Sequence, residues 1–290
     1  MIITRRDGSL FLVDQNEHAR LAGYLCERWG NERFAIPSPP QSTLLATTMH
    51  DEGWRAADDA VRFNAEAARP LHFLEIDISE HIDLYHRGVE MTVERDAYAG
   101  LLVSMHWTGL YRSRWGLQQG GVFAQEDAPL AQRLNQIVAD EEHRWIELKR
   151  GLVAGTRRSD FEAHLWHNYE LLQAHDVLSL YVCTGVLCPP GEGDQSVPVI
   201  STLKAIDQTP GTRTVETVPT RTGSERVDLR LTPVEPGVVI VDPYPFDEDR
   251  ISVSATARVI PDRRYASTEE ARDAVAGAES VQIGAELRRA

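Results

Sequence analysis

The apolar residues of this chain change period twice, which restricts it to architectures where helices and strands share one body. Ile2, Ile3, Leu10, Leu12 and Val13 flank Arg6-Asp7-Gly8-Ser9. Asp-Gly between apolar runs predicts a β-hairpin. From Asn16 the spacing becomes helical, with Ala19, Leu21, Ala22, Leu25, Cys26 and Trp29 recurring until Gly30. Helical patterns follow up to His50-Asp51, over residues 79–94 with Ser79 as N-cap, over Tyr98–Leu110, and over residues 127–150 and 159–187. Pro189-Pro190-Gly191-Glu192-Gly193 then breaks the pattern. Period-two alternation takes over in Val227–Leu231, Val238–Val241 and Ile251–Ala255, and after a short helix at 267–277 it resumes in Val281–Leu287. The expectation is a mainly α chain with α+β character. It has an N-terminal hairpin at residues 1–13, a helical domain at 14–190 and a small antiparallel β-rich segment at 191–290 packed on it. The hairpin is free to pair with the C-terminal strands.

Charge narrows the function. A net charge of −14 over 290 residues argues against nucleic-acid backbone binding and against a polybasic membrane surface. No apolar run is long enough to span a bilayer, and the N-terminus lacks a secretion signal. Three cysteines, Cys26, Cys183 and Cys188, have no zinc-finger spacing and read as buried small hydrophobes. A reducing, cytoplasmic setting is expected. The sequence leaves a homo-oligomer open.

Six residues form a candidate ligand set: His18, His50, Asp51, His81, His106 and Asp176. His106 follows Leu101, Leu102, Val103 and Met105, and a buried imidazole needs a partner on each nitrogen. Asp176 sits among Leu171, Leu172, Val177, Leu178 and Leu180, where a carboxylate needs a donor, a cation or a metal. His50-Asp51 lies at a helix end, with Gly53 as the expected stop signal. Helices packed side by side can aim such groups at one point. Imidazole nitrogen with carboxylate oxygen suits Mn, Fe, Zn or Ni. One ion needs only His18, His50, Asp51 and Asp176; two ions bridged by Asp51 would use all six.

The order His…His-Asp…His…His…Asp resembles the HD-domain superfamily of metal-dependent phosphohydrolases. Gln15-Asn16-Glu17-His18-Ala19, His50-Asp51-Glu52-Gly53-Trp54, the run Tyr98–His106 and Pro243-Tyr244-Pro245-Phe246 look like a bacterial family of unknown function with that HD-like pattern. The resemblance implies an HD-like helical bundle. It carries His18, His50, Asp51 and Asp176 over as common metal ligands, with Asp51 also in the catalytic role, and His81 and His106 as the extra histidines of a dinuclear subgroup. His86 competes with His81, which is preferred because it follows a helix cap. Glu52-Gly53-Trp54 lacks the lysine typical of cyclic-dinucleotide phosphodiesterases.

The implied activity is hydrolysis of a small phosphorylated substrate by metal-activated water, with Arg55, Arg112 and Arg114 as candidate substrate contacts. A di-iron oxygenase of the inositol-oxygenase kind and a non-catalytic binding module are the alternatives. Each residue also has a plainer reading. His50-Asp51 can be a helix cap with a surface ion pair, His106 a satisfied core histidine, and Asp176 an arginine partner with His175 facing inward. His72, His143, His164 and His167 read as surface or half-buried structural residues.

Overall fold

The computed structural model describes residues 1–117, 128–187, 197–198 and 211–290. The Pro189–Gly193 break and Cys188 lie outside the described residues. In chain order the elements begin with β1 (Ile2–Arg6), β2 (Ser9–Val13), α1 (Gln15–Glu27), α2 (Pro40–Met49) and α3 (Arg55–Asp59). The small ribbon β3 (Phe63–Asn64) and β4 (Arg69–Pro70) leads to α4 (Ile78–Arg95), α5 (Ala97–Leu110), α6 (Ala128–Leu152) and α7 (Arg158–Cys183). Then come β5 (Val197–Pro198), β6 (Arg213–Pro219), β7 (Arg226–Glu235), β8 (Val238–Asp242), β9 (Arg250–Pro261), α8 (Thr268–Ala276) and β10 (Glu279–Arg289).

The expected HD-like helical bundle with a small antiparallel appendage is not what forms. One curled, mixed sheet of eight strands, shaped as a half-barrel, runs in the order β5-β1-β2-β9-β10-β8-β7-β6. It joins both ends of the chain, so the protein is neither an all-α bundle nor a bundle with an appendage. Its hairpin turn is the one Asp-Gly predicts, with Asp7 and Gly8 at φ 45° and 72°. Leu10 pairs with Ile260 and Leu12 with Arg258, seating β2 beside β9. β10 lies antiparallel to β9 but parallel to β8, Leu287 opposite Val239. That parallel pairing makes the sheet mixed; β9 and α8 lie between β8 and β10 in the chain and supply the long connection that a parallel pair needs.

The hairpin's apolar residues alternate in direction, and both directions are covered. Ile2 and Val13 enter one core with Leu21 and Leu25 of α1, Leu171 and Leu178 of α7, and Leu229, Val239 and Val253 of the sheet. Ile3, Leu10 and Leu12 point the other way, onto Ile260, Ala271 and Val275. Burial of both faces explains why β1 opens on consecutive isoleucines. Each fully buried leucine or isoleucine contributes roughly 1.5–3 kcal/mol. The sheet therefore has every energetic reason to recruit the N-terminus.

A second core lies among the helices, with Ala46 of α2, Leu84 of α4, Leu101 of α5, Leu134 of α6 and Leu165 of α7. α5 is buried along its whole length, from Tyr98 to Leu110. α1 and α7 thus stand between the sheet and the other helices. Their inner faces, together with the end of α2, enclose the residues of interest. No helix among the described residues is long and apolar enough to cross a membrane. Cys26 and Cys183 are buried free thiols, and burial pushes the Cys26 thiol up to about 12.

Candidate metal centre

α2 ends at Met49, and His50 and Asp51 follow as the chain turns into a short 3-10 segment over Glu52–Trp54. Gly53 is there for space rather than for stopping a helix. A Cβ on it would meet the Leu84 carbonyl oxygen of α4 at 1.9 Å. The close approach presses the His50-Asp51 turn against α4. Gly53→Ala should therefore cost about 1–3 kcal/mol by overpacking, measured as a lower melting temperature; an unchanged value would mean that α4 can yield.

Four candidates from α1, α7 and this turn converge. His18 and His50 bring their Nε2 atoms to 3.2 Å. Asp51 Oδ2 lies 3.8 Å from His18 Nε2 and 3.7 Å from His50 Nε2. Asp176 Oδ1 is 3.1 Å from His18 Nε2 and 3.6 Å from His50 Nε2. The ligating atoms of His18, His50 and Asp51 all fall within 4.8 Å of one another. All four residues are at least 96 % buried.

Hydrogen bonds behind the cluster fix the direction of each group. His50 Nδ1 is 2.7 Å from the Thr47 carbonyl, which can only accept, so Nδ1 carries the proton. Ser179 Oγ donates to the Asp176 carbonyl and stands 2.8 Å from His18 Nδ1, whose N–H it accepts. Both imidazoles thereby aim Nε2 at the common point, the arrangement that orients metal-binding histidines. Asp51 Oδ1 accepts from the Tyr85 hydroxyl at 2.6 Å, and Oδ2 from Gln15 Nε2 at 3.2 Å. Asp176 Oδ2 is held by Arg114 at 2.7 Å.

Electrostatics follow from this enclosure. Burial works against charge on His50, but Asp51 and Asp176 outweigh it and raise the imidazole to about 9. The charged His50 imidazole thus faces His18 Nε2 and both carboxylates. Asp176 also resists burial, and Arg114 with the two histidines holds its carboxyl well below the usual carboxylate range. As a donor set, two imidazole nitrogens and two carboxylates facing one point fit a divalent ion of the Mn, Fe, Zn or Ni type.

His81 and His106 have partners of their own. His81 Nδ1 is engaged by the Tyr111 hydroxyl at 2.7 Å, and its ring packs 4.7 Å from Tyr85. Burial lowers it to about 3, so it is neutral. His106 meets Gln173 Nε2 at 3.1 Å and sets its ring edge-on to His50 at 5.0 Å. His86 is a surface residue beside Glu90. His175 packs on Trp29 with neither ring nitrogen bonded, so Asp176 and not His175 faces the cluster. His72 and His167 are buried, contrary to the surface reading, but both lie outside the cluster.

The three arginines divide. Arg114 is buried on Asp176, Arg55 pairs with Glu52 at 2.9 Å on the surface, and Arg112 is half-buried. Arg55 also lines an open cavity of about 400 Å³ with Arg20, Arg95, Met49 and Glu52, on the outer side of the His50-Asp51 turn. Tyr85, Gln15, Thr47 and Ser179 were not singled out by sequence. The signal for two of them was spacing alone, three residues before His50 and three after Asp176.

No curated protein and no solved structure shows a significant match to the chain. Residues 1–262 match the sequence profile of a family described as protein of unknown function (DUF3891), and the chain belongs to that family.

Proposed function

We propose that this protein is a metal-dependent phosphohydrolase built on one divalent ion held by His18, His50, Asp51 and Asp176. The observation that carries the reading is the pair of Nε2 atoms at 3.2 Å, flanked by two buried carboxylates. The order His18…His50-Asp51…Asp176 is also the part of the HD-like pattern that supplies these four groups. Such an ion supplies a hydroxide nucleophile at neutral pH and polarises a phosphoryl oxygen.

The chain's own residues prepare the site for that chemistry. Thr47 and Ser179 hold the imidazole rings, so no reorientation is needed on binding. Tyr85 and Gln15 keep Asp51 in position. Arg114 fixes Asp176 and places a permanent positive charge beside it, suited to stabilising a phosphoryl group as its charge develops.

The test is a screen of nucleotides and generic phosphodiesters with added manganese, run alongside metal analysis. Wild-type protein should turn over at least one ester with one ion per chain, and His50→Ala should lose both. Metal retention by His50→Ala would refute the ligand assignment. Two irons per chain with oxygen-dependent turnover would refute the hydrolase.

A further inference from the structure

The open cavity outside the His50-Asp51 turn is walled by arginines whose partners leave part of each guanidinium unused. Its volume is about 400 Å³, and Met49 and Glu52, on either side of the His50-Asp51 pair, form part of its wall. Arg20 gives its Nε and Nη2 to Glu17 at 2.9 Å, and Arg55 gives the same two nitrogens to Glu52 at 2.9 Å. Each carboxylate clamps one edge of a guanidinium and leaves Nη1 without a hydrogen bond to a described residue. Arg95, at the end of α4, differs. Its side chain makes one hydrogen bond among the described residues, from Nη1 to Met49 Sδ at 3.5 Å. A thioether is a weak acceptor and brings no charge.

The carboxylates on the wall divide in the same way. Asp14 is paired with Arg258, and Asp58 with the Met1 amino group at 2.7 Å. Glu17 and Glu52 have Arg20 and Arg55. Asp59 is the exception. It lies four residues after Arg55 on α3, one turn away on the same side, yet Arg55 turns back to Glu52. Among the described residues Asp59 has no ion pair, and its carboxylate accepts no hydrogen bond. One cation and one anion, Arg95 and Asp59, are thus left over on the wall of a single cavity, and both are exposed.

We infer that this cavity binds a small zwitterion, one molecule carrying a phosphate or carboxylate oxyanion for Arg95 and an ammonium group for Asp59. A purely anionic ligand would meet the Asp59 carboxylate. A purely cationic one would meet Arg95 and the free edges of Arg20 and Arg55. Both charges are hydrated in the open cavity, where a single exposed ion pair contributes little. A ligand that supplies both partners gains two such pairs for one loss of translational freedom. The site is independent of the hydrolase reading, because none of His18, His50, Asp51 and Asp176 lines it.

The probes are aminoalkyl phosphates and ω-amino acids of increasing chain length, titrated calorimetrically into the metal-free chain. Inorganic phosphate and a simple alkylamine are the references. One chain length should bind more tightly than either reference, and the series that supplies it identifies the oxyanion. Arg95→Gln should weaken that ligand roughly tenfold, the size of one charge-assisted hydrogen bond. Asp59→Asn should reduce it to the affinity of the parent compound without the amine. Both positions are exposed, so the two variants should keep the wild-type melting temperature. No binding by either series, binding no tighter than the references, or an affinity unmoved by either substitution would overturn the site.

Discussion

Arg114→Leu should lower the stability of the metal-free protein by about 3–5 kcal/mol, a fall on the order of 10 °C in melting temperature. The guanidinium is buried on Asp176 at 2.7 Å and on Gln173 at 2.5 Å. Leucine fills much of the space but leaves a buried carboxylate without its strongest counter-charge. A divalent ion should restore much of the loss, since it supplies positive charge to the other oxygen of Asp176. Thermal melts of wild type and Arg114→Leu, each with and without manganese, measure both effects. Equal losses in the two conditions would show that Arg114 and the metal position do not share Asp176.

Metal affinity should rise steeply with pH, roughly tenfold per unit up to about pH 9, and then level off. His50 titrates at about 9, above the ordinary imidazole value of ~6.5. Below that point an ion must displace the His50 Nε2 proton, and above it the lone pair is already available. The same shift acts on the metal-free fold. A raised folded pKa contributes stability that is complete below ~6.5 and lost as pH climbs through about 9. Asp176 is shifted the other way. Its contribution is present above ~4 and lost as pH falls through its depressed value. Calorimetry in buffers of different ionisation enthalpy should record one proton released per ion at pH 7. An affinity independent of pH would contradict the raised His50 titration as the group that gives up its proton.

The parts of this structure that could be read from sequence are those whose signals are local. α4 through α7 follow from helical spacing, and the first hairpin from Asp-Gly. Even there Asp77, not Ser79, caps α4, by accepting from the Ser79 N–H at 2.8 Å. Strand partnership is a non-local choice, which is why the parallel pairing of β10 with β8 and the extent of the sheet escaped the sequence. β6 was missed for a different reason. Its alternation is interrupted by a register shift between Val215 and Val218, where Thr217 has φ 58°.

The candidate site shows the same division. His18, His50, Asp51 and Asp176 stood out as polar residues embedded in apolar helices. His81 and His106 stood out for the same reason, and Tyr111 and Gln173 engage one nitrogen of each. Nothing in the chain's order distinguishes a histidine satisfied by a hydroxyl from one aimed at a shared point. Tyr85 was invisible because its role depends on α4 being pressed against the Gly53 turn.

The central claim is that four residues hold one ion. Anomalous scattering from crystals grown with manganese tests it directly. The account predicts a single peak about 2.0–2.2 Å from His18 Nε2 and His50 Nε2, with Asp51 and Asp176 oxygens completing its contacts. No peak at this point, or a peak ligated by His81 or His106, would contradict it.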